Sequence, residues 1–359
     1  MNLPFQPPLP PMLAKRLDTL PEGPDFLFEP KWDGFRVLIF RSDSEILIQS
    51  RESKSLNRYF PELAEPLLQQ LPTRCVLDGE LVVPRGTALD FEALQLRIHP
   101  AASRVKTLSK EMPASLVFWD LLCEGAEDLR QAPFRERRAR LEKVLLQCKA
   151  PVYLTPVTRD RSVGEDWLKR FEGAGLDGVM AKPLGAAYES DKRTLFKIKH
   201  ERTCECVVAG FRWHKKGQGT HVGSLLLGLY ADDRTLQHVG VAASFTDKKR
   251  QELVTLLEPL RANAGVNHPW SQWGNAEDAA AQRMPGAKSR WTGTKDLTWE
   301  LLRPELVVEV AYDHMEGARF RHIAQFRRWR TDKSPDQCTY AQLETAAPFE
   351  LQRIFQSNA

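Results

Sequence analysis

The chain lacks several features that would assign it to a specialised class of protein. It has 6 cysteines in 359 residues and no CxxC pair, so neither a disulfide framework nor a zinc knuckle is indicated. No apolar run is long enough to cross a bilayer, and the proline-rich start, residues 1–12, lacks the basic leader and apolar block of a secretory signal. We therefore expect a cytoplasmic protein with reduced cysteines and no membrane partner.

The chain also lacks a strong charge of either sign. Its 51 Lys and Arg residues against 47 Asp and Glu residues give a formal net charge of +4, which is too small to indicate a nucleic-acid partner. A polyanion site must therefore come from local clustering. Two basic stretches qualify, residues 192–202 and residues 319–333, although a run of charges is more often a solvated face.

Hydrophobic patterning predicts a first domain over residues 1–200. A proline-rich arm, residues 1–24, precedes a region in which short β-rich runs alternate with helical periodicity. The predicted strands are residues 35–40, 45–49, 76–83 and 115–122, and the predicted helices are residues 59–71, 133–147 and 163–173. This domain is therefore of the α+β or mixed class.

Past residue 200 the pattern changes to closely spaced strands. These are predicted at residues 205–211, 224–230, 236–242, 306–312 and 319–329, with a helix at residues 246–261. Five strands with a helix after the third fit an oligonucleotide-binding (OB) barrel over residues 201–359. The irregular stretch at residues 262–296 is either an extra DNA contact or a disordered insertion.

The string with the clearest chemistry is Glu29-Pro30-Lys31-Trp32-Asp33-Gly34-Phe35-Arg36, at the junction of two predicted strands. A lysine there can act as a nucleophile when neighbouring positive charge and partial burial favour its neutral form. Gly34 permits close approach of a phosphate, and Arg36 offers a guanidinium to phosphate or ribose oxygens. Taken alone, so short a string is more often a surface turn.

Further strings follow in a fixed order, namely Ser50-Arg51, Leu77-Asp78-Gly79-Glu80, Phe118-Trp119-Asp120, residues 176–182, residues 195–199 and residues 326–333. This ordered set resembles the motifs of the covalent nucleotidyltransferase superfamily, and within it the ATP-dependent DNA ligases of the compact bacterial C-type. The resemblance runs from residue 11 to about residue 333. It implies an ATP-grasp-like ligase domain followed by an OB-fold domain, in agreement with the pattern above.

The resemblance also implies a reaction. Lys31 attacks the α-phosphorus of ATP, expels pyrophosphate and holds AMP as a phosphoramidate. The AMP then passes to the 5′-phosphate at a DNA nick, and the 3′-hydroxyl displaces it. The implied cofactors are ATP and Mg²⁺ or Mn²⁺, and the implied partner is nicked double-stranded DNA, sealed by a monomeric, nucleoid-associated bacterial repair enzyme.

The charged candidates suit this chemistry, which needs cations and a metal more than a general base. Lys197 and Lys199 lie two apart on a predicted strand, so both can reach the α-phosphate from one face. Arg36 and Arg51 are expected at the ribose and the 5′-phosphate. Glu80 has apolar neighbours that predict burial, and it is expected to meet a ribose hydroxyl or Mg²⁺, with an internal salt bridge as the alternative.

The remaining candidates follow from the motif positions. Asp177 stands where many relatives carry Glu and is expected to reach the metal through water. Asp33 is expected either to coordinate metal or to shape its turn. Trp119 alternates with Phe118 on a predicted strand, which makes Trp119 the residue expected to stack on adenine. Glu29 is expected at the adenine amino group.

The last basic cluster is expected to act on the triphosphate. By the resemblance Arg328, Arg330 and Lys333 orient the β- and γ-phosphates of ATP for departure.

Two other hypotheses about the function stay open. An RNA-joining or mRNA-capping nucleotidyltransferase would share the Lys31 chemistry, and a non-catalytic nucleic-acid-binding OB protein would keep the motifs as relics. The intact lysines and carboxylates disfavour the non-catalytic protein. The OB-domain strings, such as residues 223–228, disfavour the RNA-joining or mRNA-capping enzyme.

Overall fold

The structure is a computed structural model that describes residues 1–199, 201–271, 298–313, 315–343 and 349–356. These residues form two compact units. The first unit combines residues 1–199 with the C-terminal segment 349–356, and the second contains the described residues from 201 to 343. The sequence prediction placed everything after residue 200 in one domain, whereas residues 349–356 group with the first. No described helix has both the length and the apolar character needed to cross a membrane.

The first unit alternates strands and short helices. In chain order its strands are β1 (Leu13–Leu17), β2 (Phe26–Pro30), β3 (Phe35–Ser42), β4 (Glu45–Ser50), β5 (Arg74–Val82), β6 (Pro84–Arg85), β7 (Ala88–Leu89), β8 (Ser115–Glu124), β9 (Glu127–Asp128), β10 (Val152–Leu154), β11 (Val179–Pro183) and β12 (Arg193–Ile198). Its helices before residue 200 are α1 (Ala64–Gln70), α2 (Phe91–Leu96), α3 (Ala102–Glu111), α4 (Phe134–Leu145) and α5 (Arg161–Arg170).

Two mixed sheets organise these strands. The larger has the order β10-β8-β5-β3-β4, with β9 paired to β8, and the smaller has the order β1-β12-β11-β2. Each is antiparallel except at one edge, where β10 runs parallel to β8 and β1 runs parallel to β12. The predicted α+β class of the first domain is confirmed.

The centre of the larger sheet is covered on both faces. Successive residues of β3, from Val37 to Phe40, are at most 1% exposed, and the neighbouring strands β5 and β8 are buried over most of their length. A continuous apolar run, in place of strict alternation, is typical of such a strand. This sheet carries Glu80 and Trp119, while Lys31 directly follows β2 of the smaller sheet.

One predicted helix is shorter than expected. Periodicity predicted a helix over residues 59–71, but the structure has 3₁₀ turns at Asn57–Tyr59 and Pro61–Leu63 before α1 begins. Pro61 explains the difference, because proline has no N–H and disfavours the helical conformation in the residue before it. Phe60 accordingly has φ −131° and ψ 56°.

A closed five-stranded barrel forms the second unit, in the order β13-β14-β15-β19-β16. The barrel strands are β13 (Arg202–Trp213), β14 (Val222–Tyr230), β15 (Leu236–Ala243), β16 (Glu300–Tyr312) and β19 (Ala324–Trp329). Two further short strands, β17 (Met315–Glu316) and β18 (Arg319–Phe320), lie outside the barrel sheet. Helix α6 (Asp247–Arg261) follows β15 and is capped by Thr246, whose hydroxyl accepts from Lys249 N at 3.2 Å. The predicted OB barrel is confirmed.

Two details of the second unit differ from the sequence prediction. The single strand predicted over residues 319–329 is divided, because β18 pairs with β17 in a separate hairpin and β19 joins the barrel. The irregular stretch at 262–296 falls largely outside the described residues, which include only its first part, to residue 271. The last described helix, α7 (Leu351–Gln356), belongs to the first unit and was not predicted.

All 6 cysteines are free thiols, and every one except Cys148 is buried. In the barrel, Cys204 Sγ and Cys206 Sγ lie 3.6 Å apart. Burial raises the pKa of Cys123 to about 11 and that of Cys338 to about 12. Because the thiolate is the reactive form, these side chains behave as core residues.

Candidate active site

Lys31 lies directly after β2, and its backbone is held by the segment that leads into β11. Lys31 N donates to Gly178 O at 2.8 Å, and Asp177 N donates to Lys31 O at 2.8 Å. Gly178 permits this close approach because it has φ +123°, and a Cβ at that position would lie 2.1 Å from Ile198 O. The smaller sheet therefore brings Lys31, Asp177 and the end of β12 together.

A single carboxylate joins two of the candidate lysines. Asp177 Oδ2 lies 2.6 Å from Lys31 Nζ and 2.9 Å from Lys199 Nζ. Burial by itself raises the pKa of Asp177, but the positive charges of Lys31 and Lys199 outweigh burial and hold that pKa below its usual value. Asp177 is therefore ionised at neutral pH and fixes both ammonium groups.

Lys197 completes a positive cluster. It lies on β12 next to the pair formed by Lys31 and Lys199, and within the described ranges it forms no ion pair. Burial, together with the charges of Lys31 and Lys199, lowers the pKa of Lys197. Three ammonium groups around one carboxylate leave net positive charge, which suits an anionic phosphate.

Glu80 is buried on β5 beside the turn that contains Gly34. A Cβ at Gly34 would lie 2.8 Å from Glu80 Cγ and 2.3 Å from Leu81 O, so the turn requires glycine. Burial raises the pKa of Glu80 to about 8, although Lys31 and Arg36 act in the opposite direction. The negative charge of Asp33 adds to the rise. A hydroxyl donor or a cation beside Glu80 would stabilise its ionised form.

The carboxylates of the site fit a Mg²⁺ ion only if substrate completes its coordination. The described residues contain no group of three or more His, Cys, Asp or Glu side chains that could hold a metal. Mg²⁺ is commonly bound through one or two carboxylates together with waters and substrate phosphates. Because Asp177 is already engaged by two lysines, Glu80 is the carboxylate that gains most from the ion.

Arg36 is bound within the protein. Its Nε and Nη2 donate to the two oxygens of Asp78 at 3.0 and 2.6 Å, and its Nη1 donates to Met12 O. The hydroxyl of Tyr188 donates to Asp78 Oδ2 at 2.8 Å. The guanidinium also lies 5.5 Å from the ring of Trp119. Arg36 therefore supports the site from a buried network, and its contact with ribose or phosphate stays a prediction.

Trp119 and Phe118 point to opposite sides of β8, as their alternation predicts. Phe118 is fully buried in the core, whereas Trp119 is half-buried. Lys182 Nζ lies 5.1 Å from the Trp119 ring, which gives that ring a second cation neighbour besides Arg36. A half-buried aromatic ring of this kind can stack on a base.

Glu29 is buried between two cations. Its Oε2 lies 2.6 Å from Lys182 Nζ, and its Oε1 lies 3.9 Å from Arg138 Nη1. Burial raises the pKa of Glu29 and lowers that of Lys182. Glu29 Oε1 accepts no hydrogen bond from any residue that the structure describes. Since a buried acceptor without a donor is costly, an amino group of a ligand would be stabilised there.

Sequence reasoning missed the residues that support the site. Asp78 and Lys182 stand inside the motif strings, and the available signal was a charged residue within an apolar run. Tyr188 and Arg138 gave no such signal, because their partners are far away in the sequence. Tyr188 meets Asp78 across a separation of 110 residues.

The other predicted site residues lie outside these contacts. Arg51 is exposed in the turn after β4. Arg328, Arg330 and Lys333 lie in the second unit, on β19 and just after it. There they form ion pairs with Glu309, Glu205 and Asp332.

A nucleotidyltransferase domain followed by an OB barrel, with a lysine cluster in the first, defines the ligase class of nucleotidyltransferases. The family model described as "ATP dependent DNA ligase domain" matches residues 11–199, and the model described as "ATP dependent DNA ligase C terminal region" matches residues 218–333. The chain belongs to the ATP-dependent DNA ligase family and is an enzyme.

Relatives of known name agree with this assignment. DNA ligase C2 of Mycolicibacterium smegmatis is 51% identical over 347 residues, which cover 96% of this chain and 97% of that protein. DNA ligase C of Mycobacterium tuberculosis is 49% identical over 360 residues, with 99% of each chain covered. A solved structure from a structure-function analysis of Lig E DNA ligases shares the fold, with a TM-score of 0.52, 18% identity and coverage of 89% of this chain and 98% of that chain.

Proposed function

We propose that the protein seals nicks in double-stranded DNA through an adenylate carried on Lys31. The observation that supports this proposal is the lysine cluster. The backbone of Lys31 is fixed by residues 177–178, and its ammonium shares Asp177 with Lys199, beside Lys197. After Lys31 has lost its proton to solvent, its neutral amine can attack the α-phosphorus of ATP and pyrophosphate leaves. The charge that develops on the phosphate oxygens is balanced by Lys197 and Lys199.

The carboxylates take complementary parts in this proposal. Glu80 binds a ribose hydroxyl or a Mg²⁺ ion, and Asp33 shapes the turn or assists at the ion. Asp177 positions Lys31 and Lys199 and reaches the ion through water. When bound, Mg²⁺ neutralises negative charge on the phosphates. Mn²⁺ has similar oxygen-ligand preferences and is expected to substitute.

Recognition of the nucleotide is assigned to two residues, one for the face of the base and one for its amino group. Trp119 stacks on adenine, which its half-buried position supports. Glu29 accepts from the adenine amino group, which its unsatisfied Oε1 supports. Arg36 and Arg51 contact the ribose and the 5′-phosphate. Arg328, Arg330 and Lys333 orient the β- and γ-phosphates.

The experiment that tests the adenylate is incubation with Mg²⁺ and α-labelled ATP, followed by denaturation and measurement of label retained on the protein. We expect label with ATP and a loss of at least a hundredfold in Lys31→Ala, since that variant has no nucleophile. Lys54→Ala is the matched control, because Lys54 has a side chain that is 78% exposed. No retained label with ATP in the unsubstituted protein would overturn the proposal.

The substrate is tested with labelled duplexes that contain a nick. Nicked DNA, nicked DNA with ribonucleotides at the 3′ end, and nicked RNA are compared under the same conditions. We expect DNA to be joined most efficiently. Joining of RNA alone, or label retained from α-labelled GTP in place of ATP, would favour an RNA-joining or mRNA-capping enzyme instead.

We also propose the setting in which the enzyme acts. It works as a monomer in the bacterial cytoplasm, in DNA repair and in association with the nucleoid. The modest net charge of +4 predicts only moderate non-specific affinity for DNA, falling as salt rises. Sedimentation in the presence and absence of nicked DNA measures the oligomeric state, and a stable dimer in both would contradict this part.

A further inference from the structure

Two glutamates lie directly opposite each other in the barrel, beside the basic cluster. Glu205 on β13 pairs with Glu309 on β16 in the antiparallel register. Their side chains are only 19% and 17% exposed. Like charges at directly opposite positions destabilise a sheet, and burial increases the cost. These two residues, called the acidic pair below, therefore need cations beside them.

The cations are the three residues assigned to the triphosphate. Arg328 donates to Glu309 Oε2 through Nη2 at 2.8 Å and through Nε at 3.0 Å. Arg330 donates to Glu205 and lies 3.5 Å from Glu309 Oε2. Lys333 Nζ donates to Glu205 Oε2 at 3.0 Å. The acidic pair thus contacts every one of the three cations.

The cluster has little net charge left for an anion. Asp332 binds Arg330 as well, through Nε and Nη2 at 2.8 Å each. Three cations are therefore matched by three carboxylates. A triphosphate or pyrophosphate that binds these cations must exchange phosphate oxygens for carboxylate oxygens, so the carboxylates compete with it.

The three cations differ in how readily they can leave a carboxylate and bind a phosphate. The side chain of Arg328 is 64% exposed, whereas those of Arg330 and Lys333 are 18% and 20% exposed. Arg328 can turn towards an anion while Arg330 still neutralises Glu309. The acidic pair would then keep the remaining cations ordered on the barrel surface.

We propose that Glu205 and Glu309 are positioning residues that hold Arg328, Arg330 and Lys333 when no polyphosphate is bound and take them back when pyrophosphate leaves. This inference rests on the proposed role of those cations at the β- and γ-phosphates. Its consequence is specific to one step of the reaction. The acidic pair weakens the binding of pyrophosphate and speeds its release, and it has no part in sealing a nick that already carries AMP.

The test uses Glu205→Gln and Glu309→Gln in the full-length protein, with pyrophosphate as the probe. Each variant is expected to lower the inhibition constant of pyrophosphate against self-adenylylation by about two- to fivefold, the size expected for partly exposed ion pairs. Sealing of a pre-adenylylated nick is expected to stay unchanged. Glu205→Asp retains the charge and should restore the inhibition constant of the unsubstituted protein.

Controls separate this inference from a fold defect and from the proposed function. Glu305 lies on β16, the strand of Glu309, but among the described residues it pairs only with Arg303, at 2.6 Å. Glu305→Gln should therefore leave pyrophosphate inhibition unchanged. Arg328→Ala should weaken that inhibition and slow self-adenylylation while sparing the pre-adenylylated nick. If Arg328→Ala has no such effect, the proposed role of the cations fails. If it has that effect but neither Gln variant tightens pyrophosphate binding, the role of the acidic pair is overturned.

Discussion

At the scale of single residues, the buried carboxyl group of Glu80 makes the stability of the fold depend on pH. Burial raises its pKa to about 8, from a usual value of 4.5. The folded protein therefore keeps a proton that the unfolded chain releases above about pH 4.5. The contribution of Glu80 to stability is therefore complete below that pH and is lost as the pH rises towards 8.

Glu80→Gln is expected to remove this pH dependence. Between pH 5 and pH 9 the unsubstituted protein should lose a few kcal/mol of the free energy of unfolding of its first unit relative to the variant, since each pKa unit corresponds to about 1.4 kcal/mol. Urea titrations at both pH values, without nucleotide and metal, measure the difference. If the free energy of unfolding falls equally in both proteins between pH 5 and pH 9, the raised pKa of Glu80 is contradicted.

Lys182 is expected to stabilise the fold only together with Glu29. Lys182→Met leaves a buried carboxylate with one cation, 3.9 Å away on Arg138, and should lower the free energy of unfolding by about 3 kcal/mol. Adding Glu29→Gln removes the unpaired charge and should recover most of that loss. Urea titration of the two single variants and the double variant gives the coupling free energy between Lys182 and Glu29. Additive losses would show that the two side chains do not depend on each other.

Local patterns in the sequence singled out individual residues, and the functional roles of those residues stay predictions. Lys31 stands in a string with glycine and carboxylate companions, and the alternation of Phe118 and Trp119 separated the core residue from the half-buried one. Partners from distant parts of the chain could not be predicted in this way. The network that holds Arg36 depends on Asp78 and on Tyr188, which come together only when the sheets form.

At the scale of elements, the C-terminal helix α7 shows what periodicity leaves out. It has 6 residues, too few for a helical period to be recognised. The helix is held by packing against the rest of the first unit. The ring centroid of Phe355 lies 4.0 Å from that of Tyr153 and 5.5 Å from that of Trp32, and both pairs are stacked. Longer elements such as β14 and α6 were predicted to within two residues, since their own sequences contain the pattern and, for α6, the cap.

Phe355→Ala is expected to lower the free energy of unfolding of the first unit by about 2 kcal/mol, because a half-buried ring loses less than the roughly 3–5 kcal/mol of a fully buried one. Gln352→Ala on the same helix is the control, since Gln352 is exposed. Tryptophan fluorescence can follow the urea unfolding of both variants, because Trp32 stacks on residue 355 of the native protein and its surroundings change on unfolding. Equal midpoints for the two variants would contradict the packing role of the helix.

At the scale of the whole molecule, the two units have separate hydrophobic cores. Leu226 is fully buried in the barrel core, and Leu77 is fully buried in the core of the larger sheet of the first unit. The change in strand spacing near residue 200 indicated this division from sequence alone. The return of residues 349–356 to the first unit was not indicated, because covalent order does not specify which core a late segment joins.

Calorimetry is expected to resolve two unfolding transitions. Leu77→Ala should lower the midpoint of one and Leu226→Ala the midpoint of the other, each by several degrees, since truncating a fully buried leucine costs about 3 kcal/mol. The two variants are matched controls for each other. A shift of both transitions in either variant would show that the units unfold together.

The burial of five of the six native thiols also makes the protein suited to site-specific labelling. Thiols that are buried and ionise only at high pH react slowly with maleimides at neutral pH. A cysteine introduced at the exposed Asp232, in the turn between β14 and β15, would react first. With Cys148, which is not buried, replaced by serine, a fluorophore attached there could follow the barrel through each step of the reaction.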